Sequence, residues 1–312
     1  MTVSRYLRQP DSVAQVTQHK IAQVIEELGY IQNRVPAMLS KASSRAIGVV
    51  LPSLSNQIFA HLVQGIEAVT KPAGYDILIT HTGYSSQEEE DKIAALLAYH
   101  VDGLILTESN HSRRTRQMLK TADIPVVETM EIPKKPLDMA VGLDHELASF
   151  EVVQQMIAAG KTQIAYLGAR LDTRTQLRLQ GYEQAMQAAG LTPHLVLTSA
   201  HSSFTLGGDL LAQAQQENPL LDGVFCTNDD IAVGAMMRCL YQGIKVPEQL
   251  AIVGYNGLDI GQALQPKLTS VRTPRFEIGK KSAELLLSAL AGEVITAKVY
   301  DLGYDLTEGG SL

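Results

Sequence analysis

The chain has 312 residues, enough for about two domains, each with its own hydrophobic core. Its 45% hydrophobic and 19% charged content is that of a globular protein, and no apolar run approaches the ~18 residues of a membrane span. Cys226 and Cys239 form no Cys-x-x-Cys pair, and the N-terminus lacks a basic head with an apolar core, so neither a disulfide scaffold nor a secretion signal is expected and a cytoplasmic setting is.

The net charge of −7 is unevenly spread. Residues 1–46 carry six Lys/Arg and three acids, net +3, which leaves −10 for the remainder. A basic head of this size is as consistent with a solvated surface as with a nucleic-acid partner.

In chain order, a short helix is predicted over 2–8, ended near Pro10. Asp11-Ser12 would cap a second helix over about 14–28, whose Val16, Ile21, Val24, Ile25 and Leu28 share a face; Gly29 stops it. Tyr30-Ile31 would pack back on this small core. A third helical piece, 35–40, has Pro36 in its first turn, where a missing N–H does no harm. Residues 41–45 read as a linker.

From Ala46 the texture changes to alternating apolar strands and amphipathic helices. Strands are expected at 47–52, 76–80, 102–106 and 125–128, with helices at about 57–73, 86–99 and 112–122. Ser86-Gln87-Glu88-Glu89 reads as a capping box, and the acidic run to Asp91 complements a helix dipole. The alternation then restarts: strands at 140–143, 164–167, 194–197, 223–226 and 250–254, helices at about 145–159, 175–189, 205–217 and 229–242. Strand 268–271, helix 276–291 and strand region 299–306 follow. The fold class is α/β: two doubly wound parallel sheets in series, preceded by a small all-α head. Two such lobes predict a ligand cleft at the carboxyl ends of their strands.

The ordered residues Thr2-Val3-Ser4-Arg5, Gly29-Tyr30-Ile31-x-Asn33-Arg34-Val35, Leu39, Ile47-Gly48-Val49 and Asn56-Gln57-Ile58-Phe59-Ala60 resemble the lactose-repressor (LacI/GalR) family. The likeness continues through Gly65-Ile66-Glu67, Asp102-Gly103-Leu104-Ile105, Arg178-Leu179-Gln180-Gly181-Tyr182, the segment from Asp222 to Asp230, and Val246-Pro247-Glu248. It covers essentially the whole chain. Residues 224–234, Leu302-Gly303 and the Gly309-Gly310-Ser311-Leu312 ending are most similar to the gluconate-utilisation repressors, including the idonate regulators.

The resemblance implies a homodimeric repressor on palindromic double-stranded operator DNA, with a hinge helix in the minor groove and a sugar-acid effector, gluconate or a related acid, between periplasmic-binding-protein-like lobes. The expected parts are a helix-turn-helix head at 1–34, a hinge and linker at 35–46, and an effector and dimerisation domain at 47–312. Lobe 1 would take about 47–144 plus 275–295, and lobe 2 about 145–274 plus 296–312. The family places a first helix and a turn ahead of the residues matching Thr2 to Arg5. The N-terminal part of the helix-turn-helix is therefore expected to be missing, with Met1 inside the recognition helix, either from a start assigned at an internal methionine or from a true truncation. The head is expected to fray and its operator affinity to be poor.

For DNA, Thr2, Ser4 and Arg5 have chemistry for base edges and phosphates; Asn33 and Arg34 follow from the resemblance; Leu39 would wedge between base steps. For the effector, residues just past strand ends are the candidates: Ser53, Gln57, Ile58 and Phe59; Thr107 and Glu108; Glu128; Arg174 and Arg178; Asn228 and Asp230; Asn256; Thr273 and Arg275. A sugar acid needs a cation for its carboxylate and amides or carboxylates for its hydroxyls. Arg178 matches the arginine that the family places on its effector. Arg174 and Arg275 are equally consistent with interlobe or surface salt bridges. Asp229 is evenly balanced between ligand contact and helix cap. Asn256 stands where many relatives have aspartate, which suits an anionic ligand.

No Gly-x-Gly-x-x-Gly, Walker pattern, nucleophile–base pair or metal spacing among the eight histidines points to an enzyme, a cofactor or a metal. A periplasmic sugar-binding protein would leave the basic head unexplained. A ligand sensor without competent DNA binding stays open as an alternative.

Overall fold

The computed structural model describes residues 2–30 and 43–312. The chain divides into two compact units, residues 1–44 and 45–312. In the first, α1 (Thr2–Arg8) is followed by a tight turn at Pro10–Ser12 and by α2 (Gln15–Leu28). Gly29 ends α2 at φ 60°, where the absence of a side chain removes the cost of the left-handed conformation.

The expected cap at Asp11-Ser12 is corrected. Ser12 Oγ donates back to the Gln9 carbonyl at 2.6 Å, and the residue at the cap of α2 is Ala14, which offers no side-chain acceptor. The apolar face of α2 also stays open. Val16 and Leu28 are 71% and 74% exposed and Tyr30 is 50% exposed, while Ile31 lies outside the described residues. Val13 is the one buried apolar side chain among the described residues of this unit. Two short helices have too little surface to enclose a face. The predicted third helical piece lies outside the described residues.

The second unit holds two six-stranded sheets. Lobe 1 contains β1 (Ala46–Leu51), α3 (Gln57–Thr70), β2 (Asp76–His81), α4 (Ser86–Ala98), β3 (Gly103–Leu106), α5 (Arg113–Ala122), β4 (Val126–Glu131) and β5 (Met139–Leu143). Lobe 2 contains α6 (His145–Ala158), β6 (Ile164–Ala169), α7 (Thr173–Ala188), β7 (His194–Thr198), α8 (Phe204–Glu217), β8 (Gly223–Cys226), α9 (Asp229–Gln242), β9 (Ala251–Asn256), α10 (Asp259–Gln262) and β10 (Thr269–Arg272). The chain then returns to lobe 1 with α11 (Arg275–Leu290) and β11 (Val299–Asp301), and ends in lobe 2 with β12 (Asp305–Leu306).

The strand orders are β11-β5-β4-β3-β1-β2 and β12-β10-β9-β8-β6-β7. All pairings are parallel except β12 on β10. Strands such as Ile47, Val49, Leu104, Ile105, Tyr166, Leu167, Val224 and Phe225 are fully buried on both faces, as helices on both sides of a parallel sheet require. The lobe boundary drawn from sequence shifts at one point: Val299–Asp301 adds to β5 in the first sheet, so the third crossing between lobes falls after Asp301 and not near 295. The capping box also moves by one residue. Ser85, not Ser86, caps α4 by accepting from Glu88 N–H, which frees Glu89 for the interior. Helices α6 and α7 approach so closely that a methyl group on Gly181 would overlap the Glu146 carbonyl, a packing reason for that glycine.

Candidate effector-binding cleft

Each sheet reverses its strand order once, between β1 and β3 in lobe 1 and between β6 and β8 in lobe 2. Segments leaving neighbouring strands diverge at these points and open a crevice at the strand ends. Ser53, Gln57, Thr107 and Glu108 follow β1 and β3; Arg174, Arg178 and Asn228 follow β6 and β8.

Arg174 and Arg178 lie one turn apart on α7 and are both buried, 3% and 5% exposed. Their partners differ. Arg174 reaches from lobe 2 into lobe 1, donating to Glu131 Oε2 at 2.7 Å, Glu108 Oε1 at 2.7 Å and the Thr107 carbonyl at 2.6 Å. Phe59 lies beneath its guanidinium at 6.0 Å. One cation here serves several carboxylates. Burial, together with repulsion from Glu131 and Asp172, outweighs the pull of Arg174 and lifts Glu108 to about 7. The arginine itself is held firmly charged, because Glu108 and Glu131 more than offset its burial. The two directions agree: Arg174 keeps its proton and Glu108 is the group that gains one. A second strap lies beside it, where Arg170 donates to Tyr84 Oη at 2.5 Å with its guanidinium over that ring.

Arg178 has no carboxylate within 4.0 Å among the described residues. It stacks on Tyr255, 3.8 Å from the ring centroid, and donates to the Thr227 carbonyl at 2.6 Å. Its Nε has no partner among the described residues. Arg275, 7% exposed, likewise has no carboxylate within 4.0 Å among the described residues, although the Asp229 charge reaches it. It donates to the Asn256 carbonyl and to Thr273 Oγ1, while its Nε is likewise unpartnered, and burial pulls its pKa down. Asn256 Oδ1 is a third buried atom without a partner, on a residue held at φ 114°. Tyr255 and Asn256 are consecutive at the end of β9, so the two arginines attach to adjacent residues. A buried, hydrogen-bonded guanidinium without a counter-charge is costly, and a carboxylate ligand offsets that cost.

The other expected residues divide. Asn228 caps α9, accepting from Ile231 N–H at 3.1 Å, and donates to Ser202. Asp229 is therefore not the cap: it turns inward to Leu258 N–H and Ser270 Oγ, and burial lifts it to about 7. Asp230 is half-buried, raised by burial and drawn down in part by Arg170. Ser53 accepts from Asn56 N–H in the turn before α3; Gln57 is exposed and Ile58 buried. Glu128 is corrected as a cleft residue. β4 runs on to Glu131, so Glu128 sits mid-strand, accepting from Leu137 N–H and lying 3.3 Å from His111 Nε2. His111 also meets Glu89, and these carboxylates overcome its burial to raise it to about 9. Thr2, Ser4 and Arg5 are exposed along α1; Asn33, Arg34 and Leu39 lie outside the described residues.

Sequence reasoning missed Glu131, Tyr255 and His145. Tyr255 directly precedes the singled-out Asn256, and His145 directly follows Asp144 at the end of β5, so strand-end position was the available signal. Tyr255 Oη and His145 Nδ1 are 2.7 Å apart, and His145 Nε2 is 3.2 Å from the Met130 carbonyl. Burial, then Arg178 and Arg174, push His145 well below its ordinary value, so the ring is neutral.

The architecture defines the class first: a two-lobed, periplasmic-binding-protein-like sensor with a separate helical head. Residues 153–312 match the periplasmic binding protein-like domain, and residues 1–33 match bacterial regulatory proteins of the lacI family. The chain is 50% identical over 312 residues to the HTH-type transcriptional regulator GntR of Escherichia coli K12, covering all of this chain and 94% of that protein. It is 45% identical over 313 residues to the HTH-type transcriptional regulator IdnR of the same organism, with the same coverage. A crystal structure of a LacI-family transcriptional regulator from Silicibacter pomeroyi superposes with a TM-score of 0.94 at 30% identity, covering 100% of this chain and 95% of that one.

The chain belongs to the LacI family and is a DNA-binding transcriptional repressor, as the sequence resemblance implied. Proteins of this family bind small-molecule effectors rather than cofactors. Among the described residues, no helix is long and apolar enough to cross a membrane, and no His, Cys, Asp and Glu cluster is placed to hold a metal.

Proposed function

We propose that this repressor controls genes of sugar-acid catabolism and that a gluconate-type aldonate, bound between the lobes of residues 47–312, releases it from its operator. The carrying observation is the pair of buried arginines, Arg178 and Arg275, that have no carboxylate within 4.0 Å among the described residues and attach to adjacent residues of β9. An aldonate supplies the missing negative charge, and its hydroxyls suit Asn256, Thr273, Asn228 and Ser53. The likeness to the gluconate and idonate regulators supports the same ligand class. Cationic surroundings also disfavour a neutral sugar, which has no charge to offset the buried guanidiniums.

In this reading the protein acts as a homodimer. Thr2, Ser4, Arg5, Asn33 and Arg34 contact the operator, and Leu39 in the hinge at 35–46 wedges into the minor groove. The effector works by binding one lobe angle better than another.

Thermal unfolding with and without ligand tests the assignment. Gluconate or idonate at 100 times its Kd raises stability by about 2.7 kcal/mol, whereas lactose and purines leave it unchanged. An operator shift assay with this chain and with an N-terminally extended version then shows release by the same aldonate. The absence of stabilisation by any aldonate overturns the effector class; stabilisation without operator binding favours the sensor without DNA competence.

A further inference from the structure

The cleft contains a hydrogen-bonded chain whose direction the chemistry determines. A carbonyl oxygen only accepts, so His145 Nε2, 3.2 Å from the Met130 carbonyl, carries the ring proton and donates it there. In the neutral ring Nδ1 is then a lone pair, and Tyr255 Oη, 2.7 Å away, donates to it. The Tyr255 hydroxyl hydrogen is thus committed to His145, its ring orientation is set, and its face carries the Arg178 guanidinium at 3.8 Å.

The placement of these residues gives the chain a direction in space. Met130 belongs to β4 of lobe 1; Tyr255 and Arg178 belong to β9 and α7 of lobe 2. His145 is the first residue of α6, directly after the first crossover between lobes, and Arg275 is the first residue of α11, directly after the second. Both ends of the hydrogen-bonded chain meet unusual backbone. Met130 holds φ 86°, and Asn256, next to Tyr255, holds φ 114°. Such values in non-glycine residues gather where a structure is over-determined for function.

We propose that His145 is a positioning residue of the effector site, which orients Arg178 for the effector carboxylate through the Tyr255 hydroxyl and ties that orientation to lobe 1 through Met130. The proposal rests on Arg178 as the effector clamp. It goes further in assigning to a buried histidine outside that clamp a share of ligand affinity and of the coupling between ligand and lobe angle.

Two isosteric replacements divide the ring's two roles. In Gln the terminal amide lies near the Nε2 position and keeps the donor to Met130, but nothing accepts from Tyr255. In Asn the amide lies near Nδ1 and keeps the acceptor for Tyr255, but loses Met130. Tyr255→Phe keeps the aromatic face and removes only the hydroxyl.

Calorimetric titration of the intact protein with sodium gluconate, against sodium chloride, reads the outcome. His145→Gln and Tyr255→Phe each weaken binding about tenfold, a change of about 1.4 kcal/mol. His145→Asn stays within about threefold of wild type. The His145→Gln/Tyr255→Phe double variant is no weaker than either single one, because both remove the same hydrogen bond. Unfolding curves of the three single variants identify any that does not fold, and the remaining ones carry the test. Wild-type-like binding by both His145→Gln and Tyr255→Phe, or multiplicative losses in the double variant, overturns the positioning role while leaving Arg178 as the clamp. Failure of the wild-type protein to bind gluconate overturns the clamp, and this proposal with it.

Discussion

Arg174 and Arg178 occupy successive turns of one helix and are both buried, yet among the described residues one is matched by two carboxylates and the other by none. A buried arginine with its counter-charge supplied by the protein is a joint: it fastens lobe 2 to lobe 1. A buried arginine that meets a carbonyl and a tyrosine, and no carboxylate among the described residues, still has charge to offer. Identity and burial therefore do not tell these two arginines apart; the inventory of partners does.

Substitution separates the two most sharply. Arg178→Met lowers gluconate affinity about 100-fold, the effect of losing a charge-assisted contact to a carboxylate, while unfolding free energy stays within about 1 kcal/mol of wild type. Titration calorimetry and urea unfolding read both numbers, and a large stability loss from Arg178→Met would erase the contrast. Arg174→Met works in the opposite sense. It leaves Glu131 buried without a counter-charge and lowers stability by about 3 kcal/mol in urea unfolding.

The joint also has a pH dependence. Glu108 rises from its ordinary 4.5 to about 7, so the folded state holds this proton more tightly than the unfolded chain. The associated stability is complete below about pH 4.5 and is lost as pH climbs through 7. Asp229, lifted from 3.8 to about 7, acts in the same direction. Urea unfolding between pH 5 and 8 is expected to show stability falling by roughly 2–3 kcal/mol for each of the two groups; Glu108→Gln flattens its part of that slope and leaves the Asp229 share. A slope unchanged in Glu108→Gln would place the titration elsewhere. The outer strap contributes least. Tyr84→Phe removes only the hydroxyl that receives Arg170 and costs about 1 kcal/mol, measured the same way.

Strand and helix alternation was legible because parallel strands buried on both faces, such as Ile47-Gly48-Val49-Val50-Leu51, read as unbroken apolar runs. Arg178 was legible from its motif, and Asn256 from its position after β9. The partners were not. The strand reading stopped at Glu128 because apolar character stops there, yet pairing with β5 carries β4 on to Glu131, and three residues exchange one glutamate for another in the cleft. Ser86 was taken for a cap in place of Ser85, which hid the burial of Glu89 against His111. Both displacements are decided by long-range pairing, which local spacing does not encode. The His145–Tyr255 contact joins residues 110 positions apart and had no local trace.

The pairing of β11 with β5 bears on how the molecule is made. Lobe 1 draws its edge strand from residues 299–301, after the whole of lobe 2 up to β10 has been synthesised. On a ribosome the first sheet therefore waits, with the edge of Met139–Leu143 unpaired, until residues 299–301 have emerged. The lobe that begins first is finished late. The nascent sensor passes through a stage in which its second sheet can mature while its first still presents an open edge.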